Sequence, residues 1–353
     1  MHTEIERIAA DTPGTSYELV VHRYGGGDPD APAAYLQAGL HGNERPGVAA
    51  LHYLMPMLAT AEAEGRLVGA VTVVPQANPI AAGQHVLADH LGRFSLSTRV
   101  NFNRDYPMPD ADGAVPLDAA EAPVFAERRL KSRLLELSDG HRIVLDLHCD
   151  DEALQYLYVA DELWPALSDL SVCLRADAVI RWHATPDAAF EEAVFARMLQ
   201  QAGPELGQAG YCVSTVELRG QGDVSPYLAR QDADGLYRFL VLRGVIEDDV
   251  EPLEELAASH RALPIDHVDV LHAPAGGTLL FHVRPGDLVR SGELLAEILV
   301  RPGELGGAVA LRAPQDGLVL SRRMRRFIRI GDDVLKLFGD NRSAHAKTGA
   351  LDN

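Results

Sequence analysis

Between residues 17 and 247, short runs rich in apolar, β-branched and aromatic residues alternate with longer stretches whose apolar residues recur at helical spacing. The runs 17–22, 34–40, 68–75, 143–147, 155–160 and 211–218 predict strands. The stretches 46–64, 119–137, 187–202 and 233–246 predict helices. Such alternation restricts the chain to an α/β layer fold, with helices on both faces of a mixed sheet. It ends near Asp248-Asp249-Val250-Glu251, where an acidic helical stretch to about Leu263 reads as a connector. Beyond it only strands and turns are expected. Ala273-Pro274-Ala275-Gly276-Gly277 recurs as Ala313-Pro314-Gln315-Asp316-Gly317, and Gly292-Glu293-Leu294-Leu295 is echoed by Gly331-Asp332-Asp333-Val334. A period of about forty residues with so few copies excludes a solenoid and favours two interleaved β-halves. Two domains follow, 1–255 and 256–353.

Four short words carry chemistry in the first domain: His41-Gly42-Asn43-Glu44, Asn103-Arg104, Asp146-Leu147-His148 and Val216-Glu217. A catalytic zinc takes three protein ligands and keeps one position for water, and two histidines with one carboxylate form a standard set. His41, Glu44 and His148 supply it. The close pair follows an apolar strand and precedes a helix that Pro46 suits at its first turn, while Gly42 frees the turn. The third ligand ends a buried strand on which Asp146 and His148 share a face, so that Asp146 is placed to orient a ligand ring. Among 14 histidines an accidental H-x-x-E is easily found. The structural alternative makes Glu44 a helix-opening acid favoured by the dipole and His148 a core histidine. Order and position decide between them, because His41, His148 and Glu217 all fall at predicted strand ends, where ligands collect in open α/β sheets. His85 and His90, five apart, fit no ligand spacing and read as surface or pocket-edge residues.

H-G-N-E, the N-x-N-R formed by residues 101–104, D-L-H and the late V-E resemble the succinylglutamate desuccinylase and aspartoacylase family, related to the zinc carboxypeptidases, over about residues 17–247. The resemblance implies a zinc carboxypeptidase-like α/β/α catalytic domain holding one zinc ion through His41, Glu44 and His148. It further implies Glu217 as general base and Asn103 and Arg104 as the clamp for the substrate carboxylate, since a guanidinium offers paired donors. An arginine that holds the oxyanion precedes the clamp in this family; Arg93 and Arg99 both qualify, with Arg99 preferred. The tail resembles the lipoyl and biotinyl carrier fold, a small sandwich or barrel. The connection where a carrier would present its lysine, 301–307, has none, so a carrier role is not expected and the tail is expected to narrow access to the zinc or to make a subunit contact.

A length of 353 residues with 47% hydrophobic content supports one large core and a smaller second one. No apolar run reaches membrane-spanning length, and the N-terminus lacks the basic and apolar segments of a signal peptide. Three scattered cysteines, Cys149, Cys173 and Cys212, imply no disulfide framework and a cytoplasmic setting, Cys149 being a packed thiol. A net charge of −19 excludes non-specific nucleic-acid binding. The basic run 322–329 is too local for an RNA footprint and reads as an exposed strand surface or a contact in a homo-oligomer.

The parts imply hydrolysis of the amide of a small N-acyl amino acid: zinc polarises the carbonyl and activates water, and Glu217 moves the proton. A salt bridge to Arg219 is the structural alternative for Glu217. Asp150-Asp151-Glu152, directly after the third ligand, reads either as an acidic pocket wall in which Asp150 meets a cationic group on the substrate, as in an N-acyl diamino acid, or as a solvated turn. Carboxypeptidase-type cleavage of short peptides and a non-enzymatic ligand-binding module are the competing functions.

Overall fold

The computed structural model describes residues 1–25, 28, 30–109, 124–183, 187–250, 261–346 and 351. Among them, nine strands form one large mixed sheet: β1 (His2–Ala9), β2 (Ser16–Gly25), β3 (Ala34–Ala38), β4 (Ala70–Val74), β7 (Ile143–Asp150), β9 (Tyr156–Ala160), β10 (Ala178–Trp182), β11 (Cys212–Gly220) and β12 (Arg261–Pro264), in the order β1-β2-β4-β3-β7-β11-β9-β10-β12. The two-residue β5 (His85–Val86) and β6 (Asp89–His90) make a small hairpin outside it. At the centre β4, β3, β7 and β11 run parallel, so their carboxyl ends meet at one edge.

Helices α1 (Pro46–Ala63), α4 (Ser168–Cys173) and α6 (Pro226–Leu242) pack together, while α3 (Ala126–Ser138) packs against α5 (Phe190–Ala202). The helix α2 (Pro79–Ala82) is a single turn. Pro46 opens α1 as its sequence predicts. The last helix departs from expectation by two turns: Ser225 accepts from Leu228 N at 3.2 Å and Pro226 takes the first turn, so α6 starts before 233 and ends at Leu242. Capping outweighed apolar periodicity there. Residues 119–123 of the second predicted helix lie outside the described residues. The edge strand β1 was not anticipated because most of it is exposed and it lacks a buried apolar face; β10, five residues long, carried too short a signal.

In the C-terminal third, β13 (Val268–His272), β15 (Leu288–Val289), β18 (Gly317–Arg322) and β20 (Asp333–Gly339) form one sheet, and β14 (Gly277–Phe281), β16 (Leu294–Leu299), β17 (Ala308–Arg312) and β19 (Phe327–Ile328) form another. Leu279, Leu295 and Ile298 of one sheet bury against Val319, Leu335 and Leu337 of the other, giving the smaller second core. The expected junction near 255 falls within 251–260, outside the described residues. Past it, Arg261–Pro264 is a strand of the large sheet, paired in parallel with β10, where a helical connector was expected. The two regions are also joined by β8 (Glu152–Ala153), which pairs with β18 through Ala153–Ser321 and Glu152–Arg322. Leu320 and Phe338 belong to the main core. No helix among the described residues is long and apolar enough to cross a membrane.

Candidate metal centre

The parallel order β3-β7-β11 explains why words far apart in the chain meet. His41 follows β3, His148 lies two residues before the end of β7, and Glu217 on β11 is the register partner of His148. Glu44 lies in the turn before α1, its N–H bonded to His41 O at 3.1 Å. Gly42 serves this turn by close approach, without a positive φ: a Cβ there would stand 2.6 Å from the Ala81 carbonyl carbon. A Cβ on Gly92 would meet Asn43 N at 2.4 Å, and Gly42 N donates to Gly92 O at 2.8 Å.

His41, Glu44 and His148 are buried and their ligating atoms all lie within 4.8 Å of one another. Glu44 Oε1 is 2.8 Å from His41 Nδ1, and Oε2 is 2.8 Å from His148 Nδ1. The second ring nitrogens are held from outside. Asp146 Oδ2 accepts from His148 Nε2 at 2.8 Å. Asn101 Oδ1 accepts from His41 Nε2 at 2.8 Å and from Asn103 N–H at 2.9 Å, which fixes its amide orientation. With both Nε2 protons committed, each Nδ1 presents a lone pair toward a carboxylate oxygen, a donor set that could hold a transition-metal ion. Burial would raise the Glu44 carboxyl, but the two imidazoles outweigh it and hold the group well below the usual carboxylate range. Cys149 lies outside the three-residue cluster; burial and Glu44 push its thiol up, and its backbone N–H donates to Glu44 Oε2 at 3.2 Å.

Glu217 is 8% exposed and its Oε2 has no hydrogen-bond partner among the described residues. Burial, reinforced by Glu44, pushes its carboxyl well above the usual range, with His148 and Lys336 opposing. The alternative pairing with Arg219 does not occur. Past Glu217 the strand register shifts, and Arg219 binds Asp232 at 2.6 Å and also Gln155.

The two arginines separate. Arg93 Nη1 lies 3.2 Å from Glu44 Oε1 and 3.5 Å from His41 Nδ1. Arg99, preferred from sequence, is exposed with a positive φ of 66° and points no contact at the cluster; spacing along an irregular loop could not tell them apart. Asn103 Oδ1 accepts from Phe190 N at 2.8 Å, Arg104 Nη1 donates to Asn103 O at 2.6 Å, and neither lines the neighbouring cavity. Lys131 on α3 braces this loop, its Nζ 2.7 Å from Arg104 O.

That cavity has a volume of about 620 Å³, within the usual range for small-molecule sites. Asn43, Arg93 and Cys149 form its inner side, and Arg322, Arg323, Met324, Arg325 and Lys336 bring the C-terminal region to the outer side. His90 stands at its edge, its ring stacked on His85 at 4.5 Å. The acidic run is the anchor of the outer wall. Asp150 Oδ2 binds Lys336 Nζ at 2.9 Å and Tyr156 Oη at 2.8 Å. Glu152 binds Arg322 Nε and Arg326 Nη2, each at 2.6 Å. Asp151 accepts from Gln221 Nε2 at 2.9 Å and from Met324 N at 3.3 Å. Two members of the basic run, Arg322 and Arg326, thus pack on this junction, while Arg325, Phe327 and Arg329 stay exposed as expected. Nothing in the run's sequence spacing signalled that packing, because the contacts are long-range.

Residues 30–243 match the family described as the succinylglutamate desuccinylase/aspartoacylase catalytic domain. The N-alpha-acetyl-L-2,4-diaminobutyric acid deacetylase of Halomonas elongata is 27% identical over 307 residues, 86% of this chain and 81% of that one. Among solved structures, a succinylglutamate desuccinylase/aspartoacylase family protein from Shewanella amazonensis SB2B superposes with a TM-score of 0.81 at 25% identity, covering 96% of this chain and 99% of its own. The fold is also that of the ectoine utilization protein EutE (DoeB) from Ruegeria pomeroyi, with a TM-score of 0.69 at 21% identity and coverage of 95% and 94%.

Proposed function

Because the chain belongs to the succinylglutamate desuccinylase/aspartoacylase family, we propose that it is a zinc-dependent hydrolase cleaving the amide bond of a small N-acyl amino acid. The observation that carries this reading is the buried His41–Glu44–His148 cluster with Glu217 in register beside it. A zinc ion held by those three residues supplies Lewis acidity and lowers the pKa of water. Glu217 takes the proton of the attacking water and returns it to the departing amine. Burial suits the task, since a carboxylate with a raised pKa is the stronger base. Arg93, beside Glu44, stabilises the negative oxygen that develops on the carbonyl. Unit 1–255 performs the chemistry and unit 256–353 closes the cavity.

The substrate class is inferred from the acidic groups of the wall. Asp150 is taken by Lys336, and Asp333 by His272 at 2.8 Å, while Asp151 forms no ion pair among the described residues. Asp151 is therefore the seat for a cationic group, shifting that role from Asp150, and an N-acetylated diamino acid fits it, in line with the name of the Halomonas relative. Metal analysis together with a turnover screen tests the reading. One zinc per chain and faster cleavage of N-acetyl diamino acids than of matched neutral N-acetyl amino acids are expected. A metal-free protein, or one that cleaves only dipeptides, would overturn it.

A further inference from the structure

One register step back from His148 and Glu217, a row of polar side chains crosses the sheet: Gln37 on β3, Asp146 on β7 and Thr215 on β11 are paired neighbours. All are buried, at 0%, 1% and 3% exposure. Helix α5 packs on β7 and β11 and sets Glu191 beside this row, with Tyr106 close to both Asp146 and Glu191. Gln37 Nε2, Asp146 Oδ1 and the Tyr106 hydroxyl each lack a hydrogen-bond partner among the described residues, and Thr215 and Glu191 lie within hydrogen-bonding reach of one another. Native interiors leave few such atoms unpaired, and a cluster of donors and acceptors is where buried water collects. The opposite oxygen of Asp146 is the one that holds His148 Nε2. Burial, with the charge of Asp146 adding, pushes the Glu191 carboxyl up, toward the protonated form that donates.

We propose that Glu191 is a positioning residue for the metal centre: with Thr215, Gln37 and Tyr106 it completes the hydrogen bonding of Asp146 through bridging buried water, and so fixes the Asp146–His148 pair. The function of Asp146 is then set by a third layer of groups on α5 and the neighbouring strands. An apolar residue at 191 removes one member of this network and loosens its hold on Asp146 Oδ1, so that the carboxylate is freer to turn away from the ring.

This inference rests on the proposed zinc site, and zinc affinity by chelator competition on the full chain separates the two. The assay compares wild type, Glu191→Met, Glu191→Gln and Thr215→Val, with kcat and KM on an N-acetyl amino acid and the Tm of the metal-free proteins. Glu191→Met is expected to bind zinc about 10- to 100-fold more weakly, as loss of an outer hydrogen-bonding partner does elsewhere. Its kcat falls while KM stays near wild type, its metal-free Tm is unchanged or higher, and Glu191→Gln recovers most of the affinity. Thr215→Val shifts affinity the same way by less, and carries the test should the Met variant fail to fold. Zinc affinity within about twofold of wild type in both Glu191→Met and Thr215→Val overturns the proposal, that margin being small beside the loss an outer partner causes. A wild type that binds no zinc removes the functional reading and this inference together.

Discussion

Behind the cavity's inner lining of Asn43, Arg93 and Cys149, the residues His41, Glu44, His148 and Glu217 are 2–8% exposed and stand near the carboxyl ends of adjacent parallel strands. On the outer side Met324 is 40% exposed and Arg325 is exposed too, on a turn held to the first region through Glu152 and Asp151. The inner groups are positioned by a sheet that must form for the chain to fold at all. The outer groups are positioned by ion pairs and one short β-pairing, which can change without disturbing the sheet. Under the proposed function, bond cleavage falls to one wall and substrate choice to the other.

The sharpest way to break that division is Glu217→Gln. It is expected to keep zinc and lower kcat by about 10²–10⁴-fold, the usual share of a general base; near-normal turnover takes Glu217 out of the role. Arg93→Ala comes next, with kcat down about 10²–10³-fold as for loss of one oxyanion donor. A rise in KM alone would move Arg93 to the outer wall. Glu152→Ala, read by KM for cationic and neutral substrates, tests the outer wall directly. Its two partly exposed ion pairs contribute about 0.2–1 kcal/mol each, so KM is expected to rise by at most about 30-fold with kcat unchanged. A drop in kcat of comparable size would merge the two walls.

The smallest effect concerns the brace under the inner loop. Burial lowers the Lys131 ammonium from its usual 10.5 to about 8. Between those values the unfolded chain holds a proton that the folded chain has released, so stability rises with pH across this window. The relative gain is complete above 10.5 and absent below about 8. Thermal unfolding from pH 8 to 10 is expected to show wild type gaining on Lys131→Met; parallel curves would place the lysine in solvent.

Most of the inner wall was legible because it is encoded locally. A histidine after a buried strand, a glutamate before a helix and an aspartate two residues before a histidine all state their geometry through strand and helix periods. Asn101 was visible in the N-x-N-R word, yet its bond to His41 was not, since nothing local aims its amide. Arg93 and Arg99 show the same limit on an irregular loop. The acidic run and the arginines of 322–326 were read separately, as wall and as surface, because the chain between them carries no record of their pairing.

The amino-acid order by itself determined the α/β layering and the small β region and named the three candidate ligands, since each follows from periodicity, turn chemistry or coordination preference within a few residues, while the candidate base came from the family resemblance. Tertiary structure alone decided which arginine meets Glu44, that Asp150 is neutralised by Lys336, that Glu152 anchors the outer wall, and that Glu191 stands behind Asp146. Those facts depend on distances between segments far apart in the chain, and such distances exist only once the buried sheet has closed.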